Sequence, residues 1–162
     1  MKERDPLVLR ITQGAIIAAL YVVLVLVFAP ISFGPIQLRV AEALCILPFF
    51  TPAAVPGLFI GCLISNFIVG NVIIDVIFGS LATLIGAAFG YLLRSNRWLV
   101  PIPAIIANAL IIPFVLKYGY GVVDTAIPIL MLQIAIGEIL GCYLLGECLC
   151  TALLKGRIFR FT

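Results

Sequence analysis

Apolar residues run along this chain in long stretches, separated by short breaks that carry proline, glycine or charge. The stretches do not alternate apolar with polar residues. They therefore read as helices, not as the strands of a barrel. Six are predicted. The first covers about 9–29 and stops at Pro30, where PISFGP makes a loop. The second covers about 36–50 and is short for a span, which needs about 20 residues. The turn FFTPAAVPG follows it. The third covers about 55–69 and is broken by Gly70 and Asn71. The fourth covers about 72–93 and ends at RSNR, a polar turn. The fifth covers about 98–116 and ends at KYGYG, and the sixth covers about 125–154. Nothing marks a second domain or a long linker, so residues 1–162 are expected to form one unit.

Composition names the solvent. The 162 residues are 64% hydrophobic and 10% charged, with mean hydropathy +1.30. Soluble domains run near half apolar and a quarter charged. A soluble core of this size could not hide so much apolar surface. In a bilayer apolar side chains face outward, provided helices satisfy the backbone. The expected fold is all-α, a polytopic bundle of six transmembrane helices. The first apolar run is too long for a signal-peptide core and is expected to stay as a membrane helix. With six spans, Lys2, Arg4, Arg10, Arg94, Arg97, Lys155, Arg157 and Arg160 fall on one side and only Arg39 and Lys117 on the other. The positive-inside rule then puts both termini in the cytoplasm.

The chain lacks the usual machinery of an enzyme. It has no histidine, no phosphate-binding glycine loop and no paired nucleophile and base. Five cysteines sit in apolar segments without a C-x-x-C pair, and are expected to be small buried residues and not metal ligands. No cofactor and no catalysis are expected.

Small residues recur four apart at Gly57–Gly61, Gly86–Gly90 and Gly137–Gly141, and again at Gly14–Ala18 and Ala15–Ala19. Such pairs let helices approach closely in lipid. The first three are expected to pack the bundle, and the first helix also offers a small face to a partner helix. Polar side chains at membrane depth are few and costly. They are Glu42, Asn66, Asp75, Asn108, Gln133, Glu138 and Glu147. Counting about 1.5 Å per residue puts Glu138 and Asn108 near mid-membrane and Gln133 about a third of the way in. Asn66, Asn71 and Asp75 cluster at the outer turn. All but Glu147 occupy the outer half, which suggests a polar pocket open to the outside. A pore or a full proton relay would need polar groups through the whole depth. Glu138 is then either a ligand contact or a buried acid bonded to Asn108 or Gln133. Within RVAEAL, Arg39 and Glu42 share a helix face. They form either an interfacial ion pair or a pocket wall in which Arg39 orients Glu42 or touches the ligand.

The stretch LRVAEALCILPFFTPAAVPGLFIGCLISN, residues 38–66, resembles the signature of the QueT family. These are substrate-binding S components of energy-coupling-factor (ECF) vitamin transporters, proposed to import queuosine precursors. Six helices, the Ala15–Ala19 face and an outward pocket are similar to that family too. The resemblance implies a membrane coupling subunit docked on Ala15 and Ala19, with two cytoplasmic ATPases beneath. It implies a 7-deazaguanine substrate such as preQ0, preQ1 or queuine, carried inward as the whole body topples. On that scaffold Glu138 would accept the two N–H groups of the guanine edge, and Asn108 or Gln133 would donate to O6. Tyr118, Tyr120 or Phe33 would stack on the ring, worth about 1–3 kcal/mol for a stacked base. Glu42, Asp75 or Asp124 would meet a cationic aminomethyl group. With Arg39 and Asn71, these complete the expected site. A different class stays open, a stand-alone proton-coupled secondary transporter using Glu42, Asp75 or Glu138, and so does a structural protein whose polar residues only lock the bundle.

Overall fold

The computed structural model describes residues 5–32 and 39–156. Lys2, Arg4, Phe33, Arg157 and Arg160 lie outside the described residues, as does the start expected for the second segment at Ile36. The described chain is all helical. Helix α1 is Pro6–Ser32, and a 3-10 helix covers Val40–Phe49. Helices α2 (Ala54–Val69), α3 (Ile73–Leu92) and α4 (Ile102–Tyr118) follow. A continuous helix, Ile127–Lys155, closes the chain. It consists of α5 (Ile127–Glu138), a π segment (Ile139–Leu145) and α6 (Gly146–Lys155). Four stretches are long and apolar enough to cross a membrane: Pro6–Pro30, Ile73–Leu92, Arg97–Tyr118 and Ile127–Lys155. Val40–Phe49 and Ala54–Val69 are apolar but shorter. The protein is a polytopic membrane protein, and all six expected segments are present.

Two segments differ in kind from the expectation. The second is 3-10 and not α. That helix rises about 2.0 Å per residue against about 1.5 Å for an α-helix, so ten residues reach about 20 Å instead of about 15 Å. The extra rise lets a short segment run deep. It is also narrow, and Ala41 through Pro48 are all buried. It forms an axial rod, packed against α1, α2, α3, the π segment and α6. The sixth segment is likewise not uniform, because the π turns re-aim the side chains that follow Glu138.

The remaining helices pack in sequence order, α1 on α2, α2 on α3, α3 on α4 and α4 on α5. Glycine sets the closest approaches. A Cβ on Gly57 would lie 2.7 Å from the Gly14 carbonyl oxygen, and one on Gly86 would lie 2.5 Å from the Ala104 Cα. On Gly141 it would lie 2.9 Å from the Arg39 carbonyl oxygen. The spaced glycines of α2, α3 and the π segment therefore face neighbouring helices. Helix α2 ends on Gly70 at φ +81°, a left-handed cap that glycine adopts without a steric penalty.

The helices alternate in direction, so Arg10, Arg94, Arg97 and Lys155 gather at one end and Arg39 and Lys117 at the other. At the basic end the Arg97 guanidinium lies over the Trp98 ring at 4.5 Å, and Trp98 leans on Tyr143 with ring centroids 6.3 Å apart. Paired aromatic and cationic side chains suit a membrane–water boundary.

The α3–α4 contact tolerates no side chain at Gly86. Gly86→Leu should cost about 1–3 kcal/mol or more through forced separation of the helices. Ala19→Leu, on an exposed face of α1, should leave stability unchanged. Melting in detergent checks this, and equal melting temperatures would mean that α3 and α4 do not touch there.

Candidate functional site

Polar side chains gather at the end of the bundle opposite the basic end, around a cavity of about 210 Å³. Its wall includes Tyr21 of α1, Arg39 at the head of the 3-10 helix, Asn66 and Asn71 around the α2–α3 turn, Asp75 of α3, and Tyr120 beyond α4. Apolar residues such as Val25, Val69 and Leu116 complete it.

Each polar group is held from below. Asp75 lies in the first turn of α3, where the helix dipole favours a negative charge. Its Oδ2 accepts from the Tyr120 hydroxyl at 2.8 Å. Its Oδ1 is buried without a hydrogen-bond partner among the described residues. Gly79, one turn on, makes room for it: a Cβ there would meet Asp75 Oδ1 at 2.8 Å and Asn66 Nδ2 at 3.3 Å. Asn66 Oδ1 accepts from Asn71 Nδ2 at 3.1 Å. Burial, and then the bond to Asp75, raise the Tyr120 phenol above its ordinary pKa, so it remains a donor near neutral pH.

A second cluster lies beneath the cavity floor. Tyr21 bridges the two, since it lines the cavity and its hydroxyl donates to Glu42 Oε1 at 2.6 Å. The Cys45 thiol donates to Glu42 Oε2 at 2.8 Å, and the Cys142 thiol to Glu138 Oε2 at 3.0 Å. Glu42 is 1% exposed and Glu138 4%. The 3-10 geometry explains half of this arrangement. Residues three apart eclipse in such a helix, so Arg39, Glu42, Cys45 and Pro48 form one row. Glu138 and Cys142 face that row from the junction of α5 with the π segment.

The expected site residues therefore fall into separate groups. Arg39, Asn71 and Asp75 line the outer cavity. Glu42 lies below it, tied to the wall through Tyr21. Glu138 is in the buried cluster, next to the buried Asn108 amide. Gln133 is half-buried on α5 and is not among the residues lining the cavity. Tyr118 is 71% exposed and points away, whereas Tyr120 lines the cavity. Asp124 is exposed. Ala15 and Ala19 are exposed on α1, while Gly14 and Ala18 meet α2. Glu147 lies 3.7 Å from Arg97 at the basic end.

Sequence reasoning passed over Tyr21, Cys45 and Cys142 as site residues and left Asn66 outside the expected set. A tyrosine inside a span carries a signal, because its buried hydroxyl needs a partner. The pairs Glu42–Cys45 and Glu138–Cys142 carried another, at three- and four-residue spacings that share a helix face.

The QueT transporter family model matches residues 11–155 of this chain. The curated protein named queuosine precursor transporter QueT from Lactococcus lactis subsp. cremoris (strain MG1363) is 46% identical over 81 residues. That match covers 49% of this chain and 47% of the relative, so the chain spans about half the length of that protein. No solved structure matches.

Tyr21→Phe removes a donor to a carboxylate that water does not reach. The variant should lose about 1–3 kcal/mol of stability, the cost of an unsatisfied buried group. Thermal melting in detergent reads this directly, and an unchanged melting temperature would mean that Glu42 does not need the hydroxyl.

Proposed function

Because the chain belongs to the QueT transporter family, we propose that it captures a 7-deazaguanine precursor of queuosine in the outer cavity. In this proposal it delivers that cargo as the S component of an ATP-driven ECF importer in the cell membrane. The observation that carries the proposal is the Asp75 carboxylate. One oxygen is held by Tyr120, and the other is buried at the cavity with no donor among the described residues. A buried acceptor of this kind favours a ligand that brings its own N–H groups. A guanine edge brings two, side by side.

The neighbouring residues suit the rest of the ring. Arg39 and Asn71 offer donors for O6, and Asn66 holds Asn71 in place. Tyr21 and Tyr120 are aromatic residues of the cavity wall, which suits a flat heterocycle. Glu42 acts on the ligand indirectly, by fixing Tyr21. Glu138 and Asn108 are the competing acceptor and donor at greater depth, and Gln133 stands apart from both. At the opposite end a more open groove of about 420 Å³ is lined by Trp98, Tyr143, Glu147 and Thr151. The exposed Ala15–Ala19 face suits a membrane coupling subunit that connects to two cytoplasmic ATPases. A groove of about 480 Å³ lined by Ala15, Ala18, Pro52 and Pro56 adjoins that face.

Calorimetry on the detergent-purified chain tests the capture step, with preQ0, preQ1, queuine and guanine as ligands. The wild-type chain should bind at least one 7-deazaguanine. Asp75→Asn should weaken it about ten- to hundredfold, as expected for a hydrogen bond to a charged group. If Asp75→Asn binds normally and Glu138→Gln does not, the ligand lies in the deeper cluster. Binding to none of the four ligands would overturn the capture proposal and favour a proton-coupled transporter.

The partner assignment has its own test. Ala15→Leu with Ala19→Leu should abolish uptake in cells that carry the ATPases and leave calorimetric binding intact. Uptake that survives both substitutions would remove this face from docking.

A further inference from the structure

Two thiols and two carboxylates meet in the buried cluster, and precursor capture uses neither thiol. Glu42 and Cys45 come from the 3-10 row, Cys142 from the π segment and Glu138 from the end of α5. The donor atoms of Glu42, Cys45 and Cys142 all lie within 4.8 Å of one another. Individual separations are 2.8 Å from Cys45 Sγ to Glu42 Oε2 and 4.0 Å from Cys142 Sγ to the same oxygen. All three residues are buried. We propose that Glu42, Cys45 and Cys142 form a site for a thiophilic divalent cation of the zinc class.

Distances and chemistry both support this assignment. Zinc binds thiolate at about 2.3 Å and carboxylate at about 2.0–2.2 Å, so tetrahedral neighbours stand about 3.3–3.8 Å apart. The observed separations fall on either side of that interval, and small side-chain rotations bring them into it. Glu138 Oε2 lies 3.0 Å from Cys142 Sγ, at the edge of the site.

Charge fits as well. Two thiolates and one carboxylate carry three negative charges. A divalent cation and the Arg39 guanidinium, which acts on both Glu42 and Glu138, carry three positive. Over the three ligands, the cation and Arg39 the sum is neutral, which suits a site with no water around it. The supporting shell is present. The Tyr21 hydroxyl holds Glu42 Oε1, which leaves Oε2 turned toward the thiols. Next to Glu138 is Asn108, a buried amide. The entry path is the outer cavity, whose wall includes Tyr21, Arg39, Val40 and Ala41. Binding replaces two S–H bonds by two metal–sulfur bonds, and both protons leave to solvent.

The test uses the full chain, reduced and stripped with chelator, titrated without oxygen by cadmium, cobalt and zinc. Cadmium should raise a thiolate charge-transfer band that saturates at one equivalent. Cobalt should give the intense visible bands of a tetrahedral site. Zinc should displace cobalt, and zinc added to the metal-free chain should release two protons per ion in a weakly buffered solution. Cys142→Ala and Cys45→Ala should each abolish saturable binding, and Glu42→Gln should weaken it. Cys148→Ala, at an exposed thiol, should leave the titration as it is. Melting curves taken without metal show whether each variant is folded. Titration of a folded wild-type chain without the band would overturn the site and leave the thiols as hydrogen-bond donors only. A band that persists in folded Cys45→Ala and Cys142→Ala would also overturn it, since the metal would then sit on other cysteines. Because precursor binding is read separately by calorimetry, failure of the metal site leaves the capture proposal standing, and the reverse holds.

Discussion

The structure depends on keeping a carboxylate in the dry centre of the bundle. Glu42 is 1% exposed, and a buried charge without partners costs several kcal/mol. Tyr21 and Cys45 offset this cost by donating to its two oxygens. That requirement fixes much else. Tyr21 must reach across from α1, so α1 must lie close, and Gly61 lets α2 come within contact of the Tyr21 Cβ and the Ala18 backbone. Cys45 must stand above Glu42 in one row, which the 3-10 helix achieves and an α-helix would do less squarely. The rod must also meet Cys142, so Gly141 gives way to the Arg39 carbonyl.

Much of the architecture was legible in the residues, for a physical reason. In lipid the backbone has few options, so long apolar runs and their breaks mark helices with little ambiguity. Gly70 ends α2 where its left-handed conformation is needed, and Gly86 lies where α4 approaches most closely. The inner packing was therefore visible in the spacing of small residues. Helix type was not. Hydropathy weighs residues and ignores rise per residue, so a ten-residue 3-10 rod looked like a short α-helix. The π segment was hidden for the same reason.

The polar residues were found but not their grouping. Depth along a helix can be counted, whereas rotation about its axis depends on neighbours that a sequence does not reveal. Asp75, Asn71 and Arg39 come from three separate elements and reach one cavity. Glu138, counted to mid-membrane, turns toward Cys142 on its own helix. The cysteines were weighed as small apolar residues, which is their usual role in spans. Cys62 partly retains it, buried in the core at 0% exposure, with Thr83 and Asn66 donating weakly to its sulfur. Cys45 and Cys142 depart from it because carboxylates lie within reach.

Tyr21 makes the two polar regions one mechanical unit. Its ring forms part of the cavity wall, and its hydroxyl is fixed to Glu42. A ligand that presses on that ring bears on the rod as well, because Glu42 is part of it. The rod in turn packs on α6, which carries Glu147 opposite Arg97 at the basic end. The rod thus joins the cavity wall to the basic end through a buried element. A narrow rod with eclipsed side chains has few alternative packings, so it moves as a body or not at all.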